Sequence, residues 1–182
     1  MADPTPAAQC ASFPPAARAD AIILILGSMP GIASLRAQQY YAHPRNLFWP
    51  FMAEILGVPA DADYTTRLAQ LQAQGIAIWD VLAACERPGS LDGRIVRASE
   101  VANDFAGFLA QHRRLQRICL NGGKAAEAFV RHVQRPRPSL LAGREIIRLP
   151  STSPANAGQS RAIKLAQWRA GLRCGPPAEV GQ

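Results

Sequence analysis

Short apolar runs alternate with amphipathic stretches along most of this chain. Four runs, at residues 21–26, 75–79, 117–120 and 145–149, are rich in Ile, Leu and Val and bounded by turn or helix signals. That is the pattern of strands buried on both faces. Between them the periodicity becomes helical. Residues 47–56 place Phe48, Phe51, Met52 and Ile55 on one face, 64–74 carry Leu68 and Leu71, and 101–112 carry Phe105, Phe108 and Leu109. A further helix is predicted over 123–133, directly after a strand, and a last one over 160–172. Strands alternating with helices imply right-handed crossovers and a parallel sheet covered on both sides. The expected fold is therefore α/β, a three-layer α/β/α arrangement around a central four-stranded parallel sheet. Ligands of such sheets bind at the carboxyl ends of the strands, which singles out the loops 27–46, 80–93 and 150–160.

No internal repeat interrupts this alternation. The 182 residues fit a single domain, predicted over 21–174, with a Pro- and Ala-rich flexible tail at 1–20 and a second at 175–182. The longest strongly apolar run, Ile22-Ile23-Leu24-Ile25-Leu26, is too short to span a bilayer, and no basic start precedes an apolar segment. A cytoplasmic protein without a membrane partner is expected. Cys10, Cys85, Cys119 and Cys174 lie far apart, with no close pair to pre-organise a metal site, so neither metal nor organic cofactor is predicted. Net charge is +7 with a pI near 9.9. That surplus favours anionic partners such as nucleic acid. Because all basic residues except Lys124 and Lys164 are arginine, a GC-rich genome is an alternative source of the bias.

The three loops hold the candidate chemistry. Gly27-Ser28-Met29-Pro30-Gly31 is a tight turn whose backbone can approach a ligand closely; a purely structural turn has the same composition. Two adjacent tyrosines, Tyr40 and Tyr41, lead into Ala42-His43-Pro44-Arg45-Asn46. Tyrosines in a polar loop suit the stacking of a flat ligand, while Asn46 stands where a helix N-cap is also expected. Ser151-Thr152-Ser153-Pro154-Ala155 offers three successive hydroxyls for a phosphate. His112 and His132, on predicted helices among arginines, are explained by solvated faces.

Taken in order and spacing, these segments resemble the uracil-DNA glycosylase superfamily, and within it the hypoxanthine-DNA (deoxyinosine) glycosylase branch. Gly27–Gly31 is similar to the superfamily's first motif, Tyr41-Ala42-His43-Pro44-Arg45-Asn46-Leu47-Phe48-Trp49 to a segment carried by mismatch-specific relatives, and Ser151–Ala155 to the second motif. The resemblance spans roughly residues 21–172. It implies a monomeric enzyme that excises a deaminated base, most simply hypoxanthine, from DNA. Where many relatives carry a water-orienting Asp or Asn in the first motif, this chain has Met29, and the resemblance moves that task to Asn46. Tyr41 would stack on the extruded base, with Ser28, Met29 and Asp80 around it, and backbone amides near Ser28 and Asp80 receiving charge on the departing base. Ser151, Thr152, Ser153 and Arg161 would hold phosphates. No large apolar wedge follows the second motif, so Asn156 and Gln159 are the candidates to fill the gap in the stack.

Asp80 replaces the asparagine of uracil-reading relatives. Ionised, it offers acceptors only, which suits the ring N–H of hypoxanthine; alternatively it caps a helical turn at Val81-Leu82-Ala83. Three other functions remain open at this stage. They are a mismatch-specific uracil/thymine glycosylase, an inactive DNA-binding relative, and a phosphate-dependent enzyme using Gly27–Gly31 with the turn Asn121-Gly122-Gly123-Lys124.

Overall fold

The computed structural model describes residues 9–173. Its centre is a parallel sheet of β2 (Ile23–Gly27), β3 (Ile76–Asp80), β6 (Arg117–Asn121) and β7 (Glu145–Leu149), in the order β3-β2-β6-β7. These are the four strands that the apolar runs predict, each within one or two residues. Alternate side chains leave on opposite faces of a strand, and here both faces are dry. Leu24, Leu26, Ala77, Trp79, Ile118 and Leu120 pack toward α4 (Phe105–Gln111) and α5 (Gly123–Phe129). Ile23, Ile25, Ile76, Ile78 and Cys119 pack toward α2 (Phe48–Leu56), α3 (Tyr64–Ala73) and α6 (Arg161–Gly171). Burying each Leu or Ile there contributes about 1.5–3 kcal/mol, so the sheet cannot slip register without exposing a whole face. A short helix, α1 (Ile32–Ala37), follows the first turn.

A second sheet was not expected. β1 (Gln9–Ala11), β4 (Leu82–Glu86) and β5 (Val101–Ala102) form an antiparallel set in the order β1-β4-β5. Cys10 pairs with Cys85, and Ala16 bridges to Ile78 at the edge of β3 with both backbone bonds at 3.0 Å. Residues 9–20 are therefore part of the folded domain rather than of a loose tail. Residues 1–8, the rest of that tail, and the predicted C-terminal tail lie outside the described residues. The same pairing overturns two local expectations. Residues 81–83 are drawn into β4 instead of a helical turn, and the helix expected from Val101 starts at Phe105, where the Asp104 carboxylate accepts from the Gly107 amide at 3.0 Å. Sheet partners distant in sequence decide both cases. The helix of α5 runs on as one π-helical turn, Val130–Gln134.

Two buried histidine and tyrosine positions also differ from expectation. His112 is in the core, stacked on Phe108 with centroids 4.0 Å apart. Tyr40 is buried too, its hydroxyl donating to the Pro14 carbonyl at 3.1 Å. Among the described residues, no helix is long and apolar enough to cross a membrane.

Candidate active site

The site begins where β2 and β3 end side by side. Gly27 and Asp80 are register partners, and a Cβ on Gly27 would sit 2.6 Å from an Asp80 carboxylate oxygen. Only glycine lets the strand end and the carboxyl share that space. Asp80 is buried, and its Oδ2 has no hydrogen-bond partner. Burial, with the nearby Asp92 carboxylate adding to it and Arg87 opposing, pushes the Asp80 carboxyl up to about 8. It caps no helix, since the chain passes directly into β4. Near neutrality the group is mostly the acid, which offers one donor and acceptor capacity together; the ionised, acceptor-only form expected from the sequence is the minor one.

The loop after β4 clamps the first turn from outside, and sequence reasoning missed this. Arg87 is fully buried, donating to the carbonyls of Pro30 at 2.5 Å, Met29 at 3.5 Å and Gly89 at 3.0 Å. Its guanidinium is 3.6 Å from Asp92, which in turn accepts from the Ser28 hydroxyl at 2.5 Å. Ser90 accepts from the Ile32 amide at 3.0 Å. A lone arginine among Glu86-Arg87-Pro88-Gly89 carries no sign of burial in sequence. The backbone amides of Val81 and Leu82 donate to the Gly27 and Ser28 carbonyls at 2.9 and 3.1 Å. They are thus committed to holding the turn.

Tyr41 stands on the opposite wall in a left-handed backbone conformation, φ 57°, uncommon for a side chain of this size. Its ring lies flat on Phe48, centroids 3.9 Å apart at 18°. The hydroxyl is buried, has no hydrogen-bond partner within 3.5 Å, with the Asn121 side chain near it, and lies 3.5 Å from the Cβ position of Gly27. Burial, reinforced by Asp80, raises its pKa. Asn46 stands one residue before Leu47, the N-cap of α2, rather than at the cap itself; its Oδ1 accepts from the Phe48 amide at 2.9 Å, and the residue lines the cleft. An amide oxygen retains a second lone pair for water.

The third wall is tied to the second. The Leu47 amide donates to the Thr152 carbonyl at 3.0 Å. Thr152 itself is turned inward, its amide and hydroxyl both held by Asn121 at 3.0 Å, so it is not presented to a phosphate. Ser151 and Ser153 are half-buried at the cleft, organising the loop as acceptors from Ser153 and Ala155 amides at 3.2 and 3.3 Å. Asn156 donates to the Ser151 carbonyl at 3.3 Å, while its own carbonyl accepts from the buried Lys164. Gln159 is exposed at the rim. Arg161 does not line the cleft; it pairs with Glu54 and lies over Phe51, 5.6 Å from the ring centroid.

Beside this wall, Gly122 needs its φ of 95°, and a Cβ there would meet Ser151 at 2.8 Å. Lys124 reaches the cleft but is 2.5 Å from Glu100, which also holds Arg131 at 2.6 Å and His132 at 2.8 Å. Burial acts to raise Glu100, but those cationic partners outweigh it and hold it at about 2. His132 is thus part of an ion cluster rather than a solvated face. Arg148 lines the cleft with its guanidinium against Gly123 and has no acidic partner among the described residues.

All three walls enclose one cleft of about 810 Å³, ample for a nucleotide. Tyr41, Asn46, Asp80, Ser28, Met29, Ser151, Ser153, Asn156 and Gln159 all line it. A parallel α/β/α sheet with a cleft across its strand ends, walled by a glycine–proline turn and a serine-rich loop, has the room and the polar groups to hold a nucleotide. A profile of the uracil DNA glycosylase superfamily matches residues 14–171, and the chain belongs to that superfamily. It is 37% identical over 163 residues to a hypoxanthine DNA glycosylase of Methanosarcina acetivorans, covering 88% of this chain and 96% of that protein. A hypoxanthine DNA glycosylase of Methanosarcina barkeri is 38% identical over 116 residues, 63% of this chain and 72% of the relative. A solution NMR structure from Methanosarcina acetivorans, described as a candidate uracil DNA glycosylase, superposes with a TM-score of 0.75 at 35% identity, covering 90% of this chain and 96% of that one.

Proposed function

We propose that this protein is a DNA base-excision glycosylase that hydrolyses the N-glycosidic bond of a deaminated base, hypoxanthine above all. The observation that carries this is the cleft floor. A buried polar atom, Asp80 Oδ2, stands there unpartnered beside the Tyr41 hydroxyl, and burying such a group costs about 1–3 kcal/mol unless a ligand answers it. A neutral carboxylic acid matches the lactam edge that deamination creates, an N–H beside a C=O, by accepting from one and donating to the other. An ionised carboxylate would repel the C=O and favour the two adjacent donors of guanine. The neutral acid therefore fits the lactam edge of hypoxanthine or uracil in a way that the ionised group does not.

Flipping the nucleotide out costs a few kcal/mol, least at a mispair. Tyr41, fixed on Phe48, receives the base face. As the bond between C1′ and the base nitrogen breaks, the base leaves with the electron pair, and the Ser28 and Met29 amides face the charge that develops. Asn46 holds the water whose oxygen bonds to C1′; its proton is released, the base takes up a proton, and the products are free hypoxanthine and an abasic site. Asn46 is neutral, which suits a sugar that turns cationic. Ser151 and Ser153 grip the flanking phosphates. Action as a monomer, with the nucleoid in the cytoplasm, belongs to the same reading, the DNA substrate being what supports that location.

The test is single-turnover excision from deoxyinosine-containing duplexes, read by alkaline strand scission, with uracil and xanthine in parallel. Asn46→Ala should slow release by about 10²–10⁴. An unchanged rate removes Asn46 from the water-holding role, and a wild-type chain that releases none of the three bases removes the function.

A further inference from the structure

An extruded base leaves a hole in the duplex, and proteins that open base steps commonly hold them open with an apolar side chain. The loop after the second motif cannot supply one. Asn156 is polar and already braced between Ser151 and Lys164, and Gln159 is polar. Across the cleft stands a different candidate. Leu91 lines the cleft yet is 50% exposed, one of few large apolar side chains so placed on this molecule.

Its neighbours explain why it stays there. Ser90 is bonded to the Ile32 amide at 3.0 Å, and Asp92 to the Ser28 hydroxyl at 2.5 Å. The Leu91 carbonyl accepts from Arg94 at 2.9 Å, and Gly89, at φ 77°, turns the chain just before. The residues on both sides are thus fastened to the first turn through their side chains, while that of Leu91 projects at the mouth. A surface leucine on a slack loop would fold back onto the protein. This one is held out by a bracket fixed to the wall that receives the base. Ile32, whose amide Ser90 holds, is 36% exposed.

We propose that Leu91 is the wedge that enters the base stack as the damaged nucleotide swings into the cleft, so that this chain inserts from the β4–β5 loop rather than from the second motif. This rests on the glycosylase function proposed above. The wedge matters only where there is a stack to fill, so duplex and single-stranded substrates separate it from chemistry. Leu91→Ala should lower kcat/KM on a deoxyinosine duplex about 10-fold more than on the same lesion in single-stranded DNA. Leu91→Met, apolar and of similar reach, should restore most of the difference. Independently, 2-aminopurine placed beside the lesion should brighten when the wild-type chain binds, and much less with Leu91→Ala. Circular dichroism checks that both variants are folded, as expected for so exposed a position. A duplex-to-single-strand ratio equal to wild type, or a fluorescence rise that survives the alanine, overturns the wedge. A wild-type chain that brightens the probe but releases no base overturns the function and leaves the wedge standing.

Discussion

On the function proposed above, Asp80 reads the base edge at the residue scale only while it keeps its proton. That condition gives a pH signature. The carboxyl titrates near 8 in the folded chain against 3.8 for an ordinary aspartate. Activity that depends on the acid should fall as pH rises through about 8, and Asp80→Asn should flatten that limb in a kcat/KM profile. The stability sign follows from the same shift. The folded state binds this proton more tightly than the unfolded one, so stability declines as pH rises from near 4 through 8. Asp80→Asn should accordingly melt higher than wild type above pH 8, as thermal scans across pH would show. What sequence could tell about single residues depended on whether backbone or side-chain chemistry decided the matter. Asn46 and Tyr41 lie on a loop that the sequence singled out, and both line the cleft. That Tyr40 is core while Tyr41 faces the cleft was not legible, because the left-handed backbone at Tyr41 separates two identical side chains. Nor could sequence show Thr152 turned in toward Asn121, since all three hydroxyls of that loop read alike.

At the scale of elements, the first turn is a product of its bracket. Arg87→Met would leave the Met29, Pro30 and Gly89 carbonyls without their buried donor. It should cost about 1–3 kcal/mol of stability, lowering the melting temperature, and should depress kcat more than raise KM if the turn's amides meet the transition state. Equal loss in both would mean that the bracket only supports folding. The four parallel strands were readable because each is a local apolar run, doubly buried. The antiparallel sheet was not, because β1, β4 and β5 are short and their apolarity is incomplete. Their pairing joins residues some 75 positions apart, as between Cys10 and Cys85, and no local period announces it. The Glu100 cluster belongs to the same class: Lys124 at the start of α5, and Arg131 and His132 on the π-helical turn, meet one carboxylate distant in sequence.

For the whole molecule, the +7 charge is spread unevenly in usefulness. Lys124, Arg131 and Arg161 are engaged by carboxylates, whereas Arg148 stands in the cleft without one. Arg148→Ala should weaken binding to any DNA sequence and reduce the slope of log affinity against log salt by about 1, measurable by fluorescence anisotropy across a salt series. An Arg161→Ala variant that changes that slope as much would show that its pair with Glu54 opens on DNA. Tyr41, finally, has a left-handed backbone and rests its ring on Phe48. On the function proposed above, the slot for the base is thus already built before any substrate arrives. Capture should then be timed by how often a weak pair breathes open in the helix, so that lesions opposite poorly matched partners are found soonest, without the protein having to rearrange at all.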